Sequence, residues 1–387
     1  MPVKNSIADW QSDLTEWRRH IHTHPELRFD EHQTAAFVAD KLRSFGVDEV
    51  HEGIGRTGVV GVIKGRGNSD RVLAFRADMD ALPITEATGA DHASVHDGVM
   101  HACGHDGHTT MLLGAARYLA ETRAFDGTVV LLFQPAEEGG GGAQAMVDDG
   151  VMDRFGVDEV YGMHNWPGLP AGQFATRPGP LMAAADFFEI DILGKGGHGA
   201  KPHLAVDASL AAAQVVCALQ MIAARNIDPV DTVVVSVCGM RSDSFVHNVL
   251  TDKVTLVGTT RFFDVANRDV VKRRITEIAS ATARAHGAEA VIRYMVGVQP
   301  TVNAPENTDY AIAAAEAVAG SVMTDKPPTM GGEDFADMLA VRPGAFMFIG
   351  NGDSADLHNP GYDFNDAALT AGSSWFATLA EQRMPLS

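Results

Sequence analysis

The stretch "MHACGHDGH", residues 100 to 108, sets Cys103 among His101, His105 and His108. Cys103 is one of only three cysteines in 387 residues. A thiolate beside an imidazole suits zinc or another late first-row metal ion. Residues two apart in an extended segment share a face, so Cys103 and His105 are expected to meet one ion. No second Cys/His pair follows at finger spacing, so this is no structural zinc motif.

More candidate ligands fall where strands are predicted to end. "FRADMDALP" carries Asp78 and Asp80, "FQPAEEGGGG" the adjacent Glu137 and Glu138, and "VYGMHNWP" His164. "DLHNPGYDFND" puts His358 in a loop near the C-terminus. Open α/β sheets bind ligands outside the carboxyl ends of their strands. Of two neighbouring carboxylates, one can hold a metal ion while the other takes a proton from water. One Cys, three His and one Glu are too many ligands for a single tetrahedral ion. They suit two ions about 3.5–4 Å apart. Two ions and a base describe hydrolysis of an acyl bond.

The elements that must position these residues follow from periodicity. Ile7, Trp10, Leu14, Trp17 and Ile21 recur at helical spacing, and Ser6 and Asp9 form a capping-box pattern ahead of them. A second helix is predicted over 31–45, ending at Gly46. "TGVVGVIKG", "RVLAFRADMD" and "GTVVLLFQPAEE" read as strands, with the helix "TTMLLGAARYLAETR" between the last two. Unbroken apolar strands alternating with helices predict a sheet covered on both faces. From "ADFFEIDILGKG" to "EAVIRYMVGV" the order becomes β-α-β-β-α-β, a ferredoxin-like unit. The expected architecture is α/β. An α/β/α catalytic domain with a mixed sheet, residues 1–184 and 298–387, is interrupted by an inserted ferredoxin-like α+β domain, 185–297.

Composition narrows the partners. Thirty basic against fifty acidic residues give a formal net charge of −20. That argues against nucleic acid or an anionic membrane surface as partner. Three cysteines make no disulfide framework and fit a reducing compartment. The first residues hold no apolar signal-type stretch, and no uncharged apolar run reaches about 18 residues. Cytoplasm is therefore the expected location.

The motifs "HTHPEL", "RADMDALPI", "MHACGHDGH", "LLFQPAEEG", "GMHNWPGLPAG", "GGHGAKPH", "GGEDFADML" and "LHNPGYDFND" run in order from residue 22 to 366. Together they resemble the two-metal aminoacylase/carboxypeptidase-type metallohydrolase family. Within it they are similar to the branch of hippurate hydrolase, N-acyl-amino-acid amidohydrolase and auxin-conjugate hydrolase. The resemblance implies a metal-dependent amidohydrolase that cleaves N-acyl amino acids. A dipeptidase or carboxypeptidase of the same fold is the alternative, and a non-catalytic small-molecule binder a further one. Two divalent ions per subunit are implied, whether Zn, Mn, Co or Ni. Cys103, His105, Glu138, His164 and His358 would be their ligands, and Glu137 the general base. His198 would reach the developing oxyanion, in this family often from the partner subunit of a dimer. A homodimer or higher homo-oligomer is accordingly implied, with the inserted domain as lid and dimerisation domain. Asn248 and Arg261 would hold the substrate carboxylate, while Asp78, Asp106 and Glu333 would support ligands from behind.

Two stretches depart from the family pattern. "SFVHNVLTDKV" lacks the Pro that relatives place after Asn-Val-Ile and introduces His247. "MGGEDF" has Gly where Ser is common. Outside the ligand set, His101 and His108 are read as surface or supporting residues. His22 is read as a surface or local hydrogen-bonding residue. Cys217 and Cys238 are read as buried small hydrophobes.

Overall fold

The computed structural model describes residues 3–386, so residues 1, 2 and 387 of the expected domain ranges lie outside the described residues. Two compact units are present. The larger comprises the chain up to Leu181, Thr301–Pro327 and the chain from Asp334; the smaller comprises Met182–Pro300 and Pro328–Glu333.

In the large unit the chain begins with α1 (Asn5–Asp9), α2 (Gln11–Thr23) and α3 (His32–Ser44). The expected Ser6–Asp9 capping box does not form. Lys4 is the N-cap, so Ser6 already lies inside the first turn, and Trp10 interrupts the periodic run between two helices. Strands β1 (Glu49–Ile54), β2 (Gly58–Lys64) and β3 (Val72–Asp78) lead to α4 (His105–Thr122), β4 (Thr128–Gln134) and β5 (Glu159–Pro167).

The small unit follows with β6 (Ala184–Leu193), α5 (Ala208–Leu219), β7 (Val233–Ser242), β8 (Lys253–Phe262), α6 (Ala266–Ala285) and β9 (Glu289–Val298). Returning to the large unit, the chain adds α7 (Pro305–Ala319), α8 (Phe335–Leu339), β10 (Gly344–Gly352) and α9 (Leu369–Arg383).

The large sheet is mixed, in the order β1-β2-β4-β3-β5-β10, extended by the short strands Phe174–Ala175 and Val322–Met323. The pairs β4–β3, β3–β5 and β5–β10 are parallel. Their buried residues run almost without break, as strands covered on both faces require. Alternation then assigns the faces. Phe75 and Tyr161 lie on the side of α9, where Phe376 packs 5.2 Å from Phe75. A Cβ on Gly162, one position on, would meet Phe346 and Phe335 of the opposite side. Helix α4 is buried along most of its length, and Met111, Leu112, Ala115 and Leu119 join the central core.

In the small unit the four strands form an antiparallel sheet ordered β7-β8-β6-β9. Helices α5 and α6 cover one face through Ala211, Val215, Leu219, Ile275 and Ile278, packed on Phe188, Ile190, Ile192, Val254 and Leu256. The other face leaves Phe187, Val257 and Met295 exposed. The fold is thus an α/β/α sandwich with a mixed sheet carrying an inserted ferredoxin-like α+β unit.

Two expectations need correcting here. The stretch Ala208–Arg225 is long and apolar enough to cross a membrane by length and composition. Gln220 breaks it into two helices, and Ala208, Ala211, Ala212, Val215, Leu219 and Ile222 within it are core residues of the small unit. Cys217 and Cys238 are exposed, because the faces they occupy are those their helix and strand turn away from that core.

Candidate metal centre

The cluster is built on the turn into α4. Gly104 has φ of 86° and separates Cys103 from His105, the first residue of the helix. A Cβ at Gly104 would sit 2.3 Å from Asn165 Nδ2 and 2.5 Å from the Tyr362 hydroxyl, so glycine is required on both counts. This left-handed turn, and not an extended segment, brings Cys103 and His105 to one place.

His164 arrives from the end of β5, with Nε2 3.4 Å from Cys103 Sγ. The ligand atoms of Cys103, His105 and His164 all lie within 4.8 Å of one another. So do those of Cys103, Glu138 and His358, and those of His105, Glu137 and Glu138. The five candidate ligands and Glu137 therefore form one continuous cluster in the large unit. The backbone is strained on two sides of it. Ala136, immediately before Glu137, and His358 both hold positive φ, at 52° and 61°. Non-glycine residues tolerate that conformation only where surrounding structure imposes it.

Hydrogen bonds aim the ring nitrogens inward. His164 donates Nδ1–H to the Asn165 carbonyl at 2.6 Å, which leaves its Nε2 lone pair toward Cys103. His105 Nδ1 lies 3.2 Å from Asp80 Oδ1, and its Nε2 is buried with no hydrogen-bond partner. A carboxylate behind an imidazole fixes its tautomer and raises its basicity as a ligand. Asp80 does more. Its Oδ1 accepts the Glu137 N–H at 3.0 Å and its Oδ2 the Glu138 N–H at 2.9 Å. One carboxylate thus ties a histidine to the acidic pair. Asp80 stands beside Asp78 among the strand-end candidates in "RADMD", but the family resemblance implies a role only for Asp78. Asn165 and Tyr362 were missed as well. Asn165 donates to the Cys103 carbonyl at 2.6 Å and accepts from the Tyr362 hydroxyl at 2.8 Å.

Asp78 lies one step further back. It accepts from Arg76 at 2.7 Å and pairs with His108 Nδ1 at 2.6 Å, with His105 Nε2 3.7 Å away. Arg76 also reaches Asp334 at 2.9 Å. His108 accepts the Asn165 N–H on Nε2, so both its nitrogens are engaged. It is buried rather than superficial. His22, too, is fully buried and pairs with Asp106 at 2.8 Å. Arg18 lies 3.6 Å from the same carboxylate. His101 is buried with both ring nitrogens lacking a hydrogen-bond partner, and burial pulls its pKa down to about 3. Glu333 is buried at the end of the small unit's second segment.

The remaining candidates sit in the small unit. His198 is exposed and pairs across a short antiparallel bridge with Val249, while the Gly199 N–H donates to the Asn248 carbonyl at 2.8 Å. His198 and Asn248 are therefore neighbours. Arg261 stands on β8, its guanidinium 5.7 Å from the Phe187 ring.

The electrostatics of the cluster call for positive charge. Burial opposes the charged form of His105, but Asp78, Asp80 and Glu138 outweigh it and push its pKa up to about 10. Burial, then Glu138 and Glu137, holds the Cys103 thiol well above its ordinary value. Burial, reinforced by His108, keeps His164 neutral. His358 Nε2 lies 3.1 Å from Glu138 Oε1, and this pairing raises the histidine pKa. A divalent cation would replace these protons and deprotonate the thiol. His105 Nε2, buried without a hydrogen-bond partner, in a donor set of sulfur, nitrogen and oxygen, fits such an ion.

The model of peptidase family M20/M25/M40 matches residues 74–382. The chain belongs to this family. It is a hydrolase with amidohydrolase relatives. A hippurate hydrolase from Campylobacter jejuni is 42% identical over 376 residues, 97% of each chain. An N-acyl-L-amino acid amidohydrolase from Geobacillus stearothermophilus is 45% identical over 306 residues, 79% of this chain and 81% of that one. Among solved structures, a dinuclear metal-binding peptidase of the M20 family from Bacillus subtilis superposes with a TM-score of 0.84 at 35% identity, covering 97% of this chain and 99% of that one.

Proposed function

We propose that this M20 hydrolase cleaves the amide bond of N-acyl amino acids, giving a carboxylic acid and an amino acid. The observation that carries the reading is Glu137, a carboxylate adjoining the candidate ligand Glu138 and held against the same cluster by Asp80. The names of the relatives support the substrate class.

Two divalent ions, Zn, Mn, Co or Ni, would be held by Cys103, His105, Glu138, His164 and His358. When bound, they polarise the scissile carbonyl and make water nucleophilic near neutral pH. Glu137 takes the water's proton and passes it to the leaving nitrogen. His198 donates to the oxyanion, a contribution of order 3–4 kcal/mol for a well-placed donor. Arg261 and Asn248 receive the substrate carboxylate. Asp78, Asp106 and Glu333 steady the ligands from behind, together with Asp80.

We assign the larger unit to catalysis and the smaller, built around 185–297, to a lid and dimerisation domain of a cytoplasmic homodimer. Strand β7 favours this assembly, since it is an unpaired sheet edge ten residues long. The test is hydrolysis of a panel of N-acyl amino acids by metal-stripped protein after each metal is restored. Turnover that depends on a metal and on an N-acyl amino acid is expected. Full activity after exhaustive chelation overturns the reading.

A further inference from the structure

The open face of the small unit's sheet carries a cation without a counter-charge. Arg261 is half-buried, and loss of solvent lowers its pKa. The carboxylate that influences it, Asp186, is already saturated. Asp186 accepts from Arg268 at 2.8 and 3.2 Å, from the Tyr294 hydroxyl at 2.9 Å and from the Gly297 N–H at 3.0 Å. Arg261 makes no ion pair among the described residues. Its neighbour instead is Phe187, whose ring centre is 5.7 Å from Cζ.

Strand register explains what surrounds this pair. On β6 Phe187 lies opposite Thr259 of β8 on one side and Met295 of β9 on the other. Arg261, two residues beyond Thr259, points to the same face and lies diagonal to Phe187. Phe187, on an inner strand, and Met295, paired with it on the edge strand β9, are each 46% exposed, an unusual state for a directly paired aromatic and thioether. Gly332 closes the other side of Arg261. A Cβ there would lie 3.0 Å from Val298, 3.1 Å from Ala185 and 3.7 Å from Arg261 Nη1.

We propose that Phe187 and Met295 form the subsite for the side chain of the substrate's amino acid, and that they select apolar side chains. The inference rests on reading Arg261 as the carboxylate anchor. An amino acid forked onto a guanidinium begins its side chain about 2.5 Å beyond the carboxyl carbon. On this face Ala185 stands opposite Arg261 and Phe187 lies diagonal to it, with Met295 paired to Phe187, so a side chain directed along β6 meets Phe187 and then Met295. A leucine or phenylalanine side chain covers apolar surface there. Glycine covers none, and an aspartate carboxylate would lose water against a ring. Phe187 and Met295 are specificity residues and take no part in proton transfer.

The experiment holds the acyl group constant and varies the amino acid, using benzoyl-glycine, benzoyl-leucine, benzoyl-phenylalanine and benzoyl-aspartate with the metal-loaded enzyme. The leucine and phenylalanine substrates are expected to exceed glycine in kcat/KM by about tenfold or more, with aspartate lowest. Phe187→Ala and Met295→Ala should each bring the leucine-to-glycine ratio toward one, whereas Phe187→Leu should keep it high. Both side chains are half-exposed, and melting curves verify that the variants fold. A flat wild-type profile overturns the inference, as does a preference unchanged in both alanine variants. If none of the four substrates turns over under any metal, the amidohydrolase reading itself falls. Turnover without side-chain preference leaves that reading standing and removes only this subsite.

Discussion

Asp80→Ala is the sharpest test of how the cluster is held. The Asp80 carboxylate engages three groups: His105 Nδ1 at 3.2 Å, the Glu137 N–H at 3.0 Å and the Glu138 N–H at 2.9 Å. Asp80 itself is 1% exposed, so water does not replace it freely. Each lost hydrogen bond contributes about 1 kcal/mol, and more where a donor is left buried. Three of them put the loss in stability of the metal-free protein at roughly 3 kcal/mol. The effect on metal binding is separate. Without Asp80, His105 is released from its tautomer and the Glu137–Glu138 turn loses its anchor. Removal of such supporting carboxylates weakens metal affinity by about 10–100-fold. The assay pairs thermal melting of the stripped protein with calorimetric titration of Zn or Mn into wild type and variant. Asp80→Asn should fall between the two, because its amide keeps one acceptor but turns a donor toward the other N–H groups. An Asp80→Ala protein with unchanged melting and unchanged affinity would refute the reasoning, whatever its activity.

Glu137→Gln should retain metal yet lose turnover by at least about a hundredfold, whereas Glu138→Ala should lose metal; metal analysis alongside kinetics separates them, and the opposite pattern would reverse the roles. Cys103→Ala should bind less metal than wild type by elemental analysis, because it removes the atom shared by two of the ligand groups. The His22–Asp106 pair predicts a pH dependence of stability. Burial opposes charge on His22, but Asp106 raises its pKa from 6.5 to about 9. The folded pKa exceeds the unfolded one, so this contribution, on the order of 3 kcal/mol, is complete below pH 6.5 and is lost as pH rises through about 9. The melting difference between wild type and His22→Gln should therefore shrink across that interval; a difference that grows with pH contradicts it. Finally, Glu137→Ala and His198→Ala chains, refolded together, should regain activity if His198 serves the neighbouring subunit; verified heterodimers that stay inactive mean that His198 acts within its own chain or not at all.

Residue type and order alone determined a good deal here. The alternation of apolar strands and helices gave the α/β sandwich, because buried parallel strands must be continuously apolar. The β-α-β-β-α-β run gave the inserted unit, because local periodicity sets the element types and the order of elements restricts topology. Motifs distant in sequence supplied the candidate ligands, through the family resemblance they carry together and the coordinating chemistry of thiol, imidazole and carboxylate. Tertiary structure decided how they meet. The conformation of Gly104 depends on Asn165 and Tyr362, which lie sixty and more residues away, and no local pattern encodes that approach. The task of Asp80 depends on two backbone N–H groups of another strand's loop, which carry no sequence signature. Burial of His22, His101 and His108 likewise follows from which faces pack together, a long-range outcome that histidine's identity does not reveal. Sequence names the groups capable of chemistry; packing fixes their tautomers, charges and directions.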